Sequence, residues 1–185
     1  MALEPTVLDP ACTPPAQRFP KLAGLITYLQ SLTARADLSV LDTLLKEAAV
    51  TRADIEAACC FGAKSYKRNP IARSEWFELL ALCWRSGHLT PIHDHKGSSC
   101  AFRVVAGTGT EIRYQRTPSG LVCPAGTVAM NPGYVCAAKD ADIHQVANFQ
   151  AEGQDLVTLH IYSPPIQKMS TYEFATSCGP EKADC

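Results

Sequence analysis

The sequence predicts a mostly β protein, a sandwich or barrel preceded by a helical N-terminal part. Three observations carry that prediction. Between about Trp76 and Pro165, short runs rich in β-branched and aromatic residues alternate with turns containing Gly and Pro, the pattern of several short strands folded on one another. Ahead of them, apolar residues recur at the three- and four-residue intervals of a helix. The 185 residues, 46% hydrophobic and 19% charged, suit one domain with a helical appendage and a full core.

In order along the chain, residues 1–20 contain Pro5, Pro10, Pro14, Pro15 and Pro20. That density opposes a regular element and predicts an irregular arm. Residues 21–185 then form a single domain whose helical part covers 21–62. Leu22, Leu25, Ile26, Leu29 and Leu32 mark one amphipathic helix, and Leu38, Leu41, Leu44, Leu45 and Ala48 a second. Thr51 and Asp54 resemble a cap opening a short third helix through about Cys60, ended near Gly62. After Gly62 the period changes. Trp76 to Trp84 reads as a buried strand, and further strands are expected at Ala101 to Val105, Thr110 to Tyr114, Val128 to Asn131, His144 to Ala147 and Leu156 to Tyr162.

A net charge of −1 without any run of Lys or Arg predicts neither a nucleic-acid nor a membrane partner. The N-terminus lacks a basic region followed by an apolar stretch, and no segment approaches a membrane span. The expected location is the cytoplasm. The nine cysteines are odd in number and show no Cys-x-x-Cys spacing, and the adjacent Cys59-Cys60 pair is poorly placed to chelate one ion. Most are therefore expected to be reduced.

The chemistry concentrates between Gly87 and Gly107. Residues two apart on a strand face the same way, so His93 and His95 can offer imidazoles to one metal ion while Asp94 points away. By itself His-x-His is equally compatible with two surface histidines. Pro91 ahead of the pair suits a strand start, and Gly97-Ser98-Ser99 behind it suits a turn or bulge. With five histidines in the chain, a third ligand must be sought among His88, His144 and His160. His144 and Asn148 bracket three residues, as in the second half of the pattern that marks the cupin (jelly-roll) β-barrel. The first half, Gly-x5-His-x-His-x4-Glu-x6-Gly, is matched by Gly87, His93, His95 and Gly107, with Cys100 at the glutamate position. Gly126 and Pro132 also fit, whereas Ala141 stands where a glycine is expected. Losing the glutamate leaves three neutral imidazoles, so a divalent ion keeps its double charge and favours an anionic substrate atom such as a thiolate. Imidazole suits Fe, Zn, Ni and Cu, so ligand type does not select the metal.

These residues resemble the cysteine dioxygenases within the cupin thiol dioxygenases. The resemblance spans roughly Tyr66 to Pro165. It rests on Tyr66-Lys67-Arg68-Asn69, Cys83-Trp84, Gly87-His88, Ile92-His93-Asp94-His95, Cys100, His144 and Leu159-His160-Ile161-Tyr162-Ser163-Pro164-Pro165. It implies mononuclear non-haem Fe(II) held by His93, His95 and His144, with L-cysteine and O2 converted to cysteine sulfinic acid. It also implies that Arg68, with Tyr66, binds the substrate and pairs its carboxylate. Tyr162 would stand near the iron with His160 bonded to its hydroxyl, Thr158 replacing the usual serine, and His88 would be structural. Ser163-Pro164 matches a cis-proline turn, and Cys100 and Tyr162 match the partners of a Cys-Tyr thioether. The related 3-mercaptopropionate dioxygenases typically carry glutamine at the Arg68 position, so Arg68 and Cys100 favour cysteine over 3-mercaptopropionate. A non-enzymatic metal-binding cupin is the more distant alternative.

Overall fold

In a computed structural model of the protein, which describes residues 13–138, 142–167 and 169–175, the helical period of the N-terminal part becomes helix much as expected. Residues 1–12 of the expected arm, and Ala141, lie outside the described residues. Within the proline-rich stretch, Pro15–Arg18 forms one turn (α1) with proline at its start. Proline blocks a helix interior, but its fixed φ suits the first turn, where the missing N–H costs nothing. A 3-10 turn, Pro20–Leu22, leads into α2, Ala23–Gln30. Helix α3, Leu38–Glu47, starts at Asp37, whose carboxylate accepts from Ser39 N at 2.7 Å and Val40 N at 3.3 Å. The third helix is reduced to a 3-10 segment, Ala53–Ala58, because Ile55 leaves helical dihedrals. Its cap forms all the same, with Thr51 N and Oγ1 donating to Asp54 at 2.8 and 2.6 Å.

Among the described residues eight strands follow: β1 Lys67–Arg73, β2 Glu78–Trp84, β3 Ser99–Ala106, β4 Gly109–Arg116, β5 Val122–Met130, β6 Val135–Ala138, β7 Ile143–Ala147 and β8 Leu156–Ser163. One sheet runs β1-β2-β8-β3-β6 and the other β5-β4-β7, with antiparallel neighbours throughout. Strand β1 tolerates Pro70 because it lies at a sheet edge and its register slips between Pro70 and Ala72. Sequence patterning missed β1 and the four-residue β6.

The larger sheet is covered on both faces. Its outer face, with Leu79, Ala81, Cys83, Val157, Leu159 and Ile161, packs under the helices against residues such as Leu22, Ile26 and Leu41. Its inner face, with Leu80, Leu82, Trp84, Phe102, Leu156 and Tyr162, meets Met130 and Val146 of the smaller sheet. All eight residues of β8 are buried. Thr158, His160 and Tyr162, on the inward face, therefore stand in the protein interior, where polar side chains must find partners. Ser163-Pro164 is cis, as the resemblance implied. Among the described residues Cys59, Cys60, Cys83, Cys100 and Cys136 are free thiols and Cys123 is disulfide-bonded.

Candidate metal centre and active site

His93-Asp94-His95 does not lie on a strand. His93 makes isolated bridges with His144 on one side and Thr171 on the other; in the first, each backbone N–H donates to the other's carbonyl at 2.9 Å. The chain leaves that bridge at once, through His95, into a turn at Gly97, whose φ is +92°, a value glycine adopts without steric cost. The two histidines thus come together by a backbone bridge to β7 and a tight turn, not by strand alternation.

The result is nonetheless the expected cluster. His93, His95 and His144 are buried, and their ligand atoms lie within 4.8 Å of one another. His93 Nδ1 donates to Pro91 O at 2.9 Å, which leaves Nε2 with a free lone pair, and that atom faces His95 Nε2 at 3.1 Å. His144 Nδ1 donates to Glu111 at 2.9 Å, while His144 Nε2 has no hydrogen-bond partner. Two nitrogens each about 2.1 Å from one ion, at right angles, lie about 3.0 Å apart. The residues therefore fit a mononuclear metal bound through Nε2 lone pairs. Burial pushes His93 down to about 4 and His95 to about 2, each lowered further by the neighbouring imidazoles. Both stay neutral at physiological pH, the form that binds metal. Asp94 turns away, as expected, and accepts from Tyr172 Oη and Lys96 N. Burial raises its pKa, but these bonds outweigh that and hold it below the usual carboxylate range.

Facing the histidines across one cavity are Arg68, Tyr66, His160 and Tyr162. Arg68, on β1, donates to Glu78 Oε2 at 3.0 Å, and its guanidinium lies 5.1 Å from the Tyr162 ring centroid. Tyr66 stacks on Trp84 at 4.2 Å with 19° between the planes. His88 does not join them. Its Nδ1 accepts from Arg85 N at 3.0 Å, a structural role.

A polar chain runs down the inner face of β8. Trp84 Nε1 donates to Thr158 Oγ1 at 3.0 Å, Thr158 Oγ1 is 2.9 Å from His160 Nε2, and His160 Nδ1 is 3.2 Å from Tyr162 Oη. Burial, and then the Arg68 charge, hold His160 well below its ordinary value, so it carries one ring proton. An indole only donates, so Thr158 accepts from Trp84 and can give its own proton to His160 Nε2. The ring proton then sits on Nδ1 and is donated to Tyr162 Oη, leaving the phenol hydrogen free to point into the cavity. In this polarity the proton left over is the phenol's, which faces the cavity; in the reverse it is that of the buried Thr158 hydroxyl.

Cys100 faces Tyr162 directly in the β3–β8 register, a placement that puts Cβ atoms about 4.5–5.5 Å apart. Both belong to the inner core cluster. Burial raises the Cys100 thiol and the Tyr162 phenol well above their ordinary values, each helped by a neighbouring acidic group. Sequence reasoning missed Glu111, Thr90 and Met169. The first supports His144, and the other two line the cavity. Nothing in the local pattern distinguishes Glu111 among 18 acidic residues, because its role depends on the pairing of β4 with β7.

The chain matches the family described as "Cysteine dioxygenase type I" over residues 15–175. It is 30% identical over 122 residues to a cysteine dioxygenase type 1 of Danio rerio, an alignment covering 63% of this chain and 60% of that protein. It is 27% identical over 161 residues to the Homo sapiens protein of the same name, covering 84% of this chain and 80% of that one. Among solved structures, a Klebsiella pneumoniae protein with a double-stranded β-helix domain superposes with a TM-score of 0.52 at 13% identity, covering 64% of this chain and 88% of that one. That likeness supports the mostly β cupin architecture.

Proposed function

The chain belongs to the cysteine dioxygenase type I family, and from that premise we propose that it is an Fe(II)-dependent dioxygenase converting L-cysteine and O2 to cysteine sulfinic acid. The observation that carries this reading is the convergence of three buried imidazoles on one side of a cavity whose other side presents a guanidinium and a phenol. When bound, iron supplies the open positions at which a thiolate and dioxygen meet. His93, His95 and His144 hold it. Arg68 pairs with the substrate carboxylate, its charge shared with Glu78, and so fixes which end of the thiol faces the histidines. Tyr66, braced on Trp84, walls the carboxylate end. Tyr162 donates its free phenol hydrogen into the cavity, and His160 holds it there. The thiolate gains both oxygen atoms, so O2 is the only oxidant and no external reductant enters the balance.

Net charge near zero and the lack of basic runs support a reading without nucleic-acid or membrane partners. Among the described residues no helix is long and apolar enough to cross a membrane. We place the protein in the cytoplasm.

Oxygen uptake by the Fe(II)-reconstituted protein with a panel of thiols tests the reading. L-Cysteine should be consumed fastest, with sulfinate as product. Faster turnover of 3-mercaptopropionate would assign the other thiol, and no thiol-dependent uptake at all would leave a metal-binding cupin without this activity. During turnover we further expect a thioether between Cys100 Sγ and the Tyr162 ring, replacing an S–H and a ring C–H, with O2 as oxidant. Peptide mapping should find the two peptides joined and lighter by two hydrogens. A freely alkylated Cys100 after extended turnover would rule the bond out.

A further inference from the structure

The carboxylate that the cupin pattern places at position 100 is absent from this chain, yet a buried carboxylate stands directly behind one ligand. Glu111, on β4, is 2% exposed. Its Oε1 accepts from His144 Nδ1 at 2.9 Å, and its Oε2 accepts from Arg113 Nε at 2.9 Å. Strand pairing sets this up. Arg113 lies opposite His144 in the β4–β7 register and Glu111 opposite Val146, so all four side chains leave the same face of the sheet and Glu111 reaches His144 diagonally. A second cavity of about 370 Å³, lined by Glu111, Arg113, Cys136, Asp142 and His144, adjoins this pair.

Burying a carboxylate is costly unless it is fully partnered. One partner here, Arg113, has a half-exposed side chain. The other is an imidazole N–H, a modest donor while the ring is neutral. A cation on His144 Nε2 makes that N–H a stronger donor, so the pair is best satisfied when the metal is bound. The same bond fixes the ring tautomer and orientation, leaving Nε2, which has no other partner, as the only lone pair offered to the centre.

We propose that Glu111 is a positioning residue for the metal, holding His144 and placing a negative charge one imidazole away from the ion, with Arg113 setting how much of that charge reaches it. The inference rests on the iron centre assigned above but not on the thiol reaction. The negative charge stabilises a trivalent ion more than a divalent one. Removing it raises the Fe(III)/Fe(II) potential, and removing its counter-charge at Arg113 lowers it.

The full-length protein, reconstituted with Fe(II) and without any thiol, provides the test. Glu111→Gln should keep the unfolding midpoint of the apoprotein within the range of other surface and core variants, yet hold Fe(II) about 10- to 100-fold less tightly against a chelator. If Fe(III) affinity falls tenfold more than Fe(II) affinity, the midpoint potential rises by about 59 mV. Glu111→Asp, too short to span the gap unaided, should recover only part of the loss, and Arg113→Gln should shift the potential downward with iron still bound. Unchanged iron affinity and potential in Glu111→Gln overturn the proposal. So does an upward or absent shift in Arg113→Gln, which decides the matter if the Glu111 variants fail to fold. A wild-type protein that retains no iron would instead refute the iron centre itself.

Discussion

Replacing Thr158 by Val separates the two things this residue does. The side chains have nearly the same shape, so packing around a fully buried position is kept while the hydroxyl is lost. Trp84 Nε1, whose 3.0 Å bond to Thr158 disappears, is left as a buried donor without a partner, and His160 Nε2 loses its 2.9 Å partner. An unsatisfied buried polar group costs about 1–3 kcal/mol, so two cost about 2–6 kcal/mol, reduced by about 0.8 kcal/mol for the added buried carbon. We expect a net loss of about 1–5 kcal/mol, read as a lower urea midpoint with unchanged slope. The functional effect is separate. Without the threonine proton on Nε2, His160 can carry its own hydrogen there and accept from Tyr162 at Nδ1, which turns the phenol hydrogen out of the cavity. Sulfinate formation should therefore fall well beyond any loss of iron, whereas Thr158→Ser, which keeps the hydroxyl, should lose only about 1 kcal/mol for its missing methyl and retain activity. If Thr158→Val unfolds at the wild-type midpoint and turns over at the wild-type rate, the proton polarity assigned to this chain is wrong.

Arg68→Gln removes a charge-assisted pair worth about 1.5–3 kcal/mol. Because Arg68 is one-third exposed and already shared with Glu78, the lower end applies, about a 10- to 30-fold drop in kcat/KM for L-cysteine. Cysteamine, lacking the carboxylate, should be hardly affected, and equal losses for both thiols would remove Arg68 from substrate recognition. Gly107→Ala places a Cβ 2.2 Å from Asp155 O at φ +76°, adding a backbone clash to the roughly 1–2 kcal/mol of a left-handed non-glycine residue. Gly120→Ala, at φ +85° with nothing within 4 Å, should show the conformational cost alone, so equal urea midpoints for the two variants would contradict the close approach. Asp37 is held below its ordinary pKa by the Ser39 hydroxyl and by the backbone N–H groups of Ser39 and Val40. A depressed acid stabilises fully above its unfolded value near 3.8 and loses that contribution as pH falls through its lower folded value. The midpoint gap between wild type and Asp37→Ala should therefore be constant at neutral pH and close only in strongly acidic buffer; a gap that closes near pH 6 would implicate another group.

Much of the site was legible in the chain because it is carried by spacing. The Gly87, His93, His95 and Gly107 intervals and the isolated His144 need no tertiary information to be noticed, and the alternation of β8 already placed Thr158, His160 and Tyr162 on one face. Apolar periodicity likewise located the two N-terminal helices, since amphipathic burial leaves a local imprint. Three features were decided only when the strands paired. The His93-Asp94-His95 segment reads as a strand, but it is held by isolated bridges from His93 to His144 and to Thr171 and by a turn at Gly97, because the geometry of a metal site is set by which backbones meet. Strand β1 was hidden by Pro70, whose missing N–H matters only if both sides of the strand are paired, and an edge position cannot be read from the residue itself. Glu111 is the clearest case. A carboxylate's environment depends on the strand opposite it, and nothing within β4 says that His144 lies across the gap. Local sequence determines period, turn chemistry and ligand type, because these act within a few residues. Register and partner identity act across the sheet, where contacts distant in sequence compete and only the folded structure selects among them.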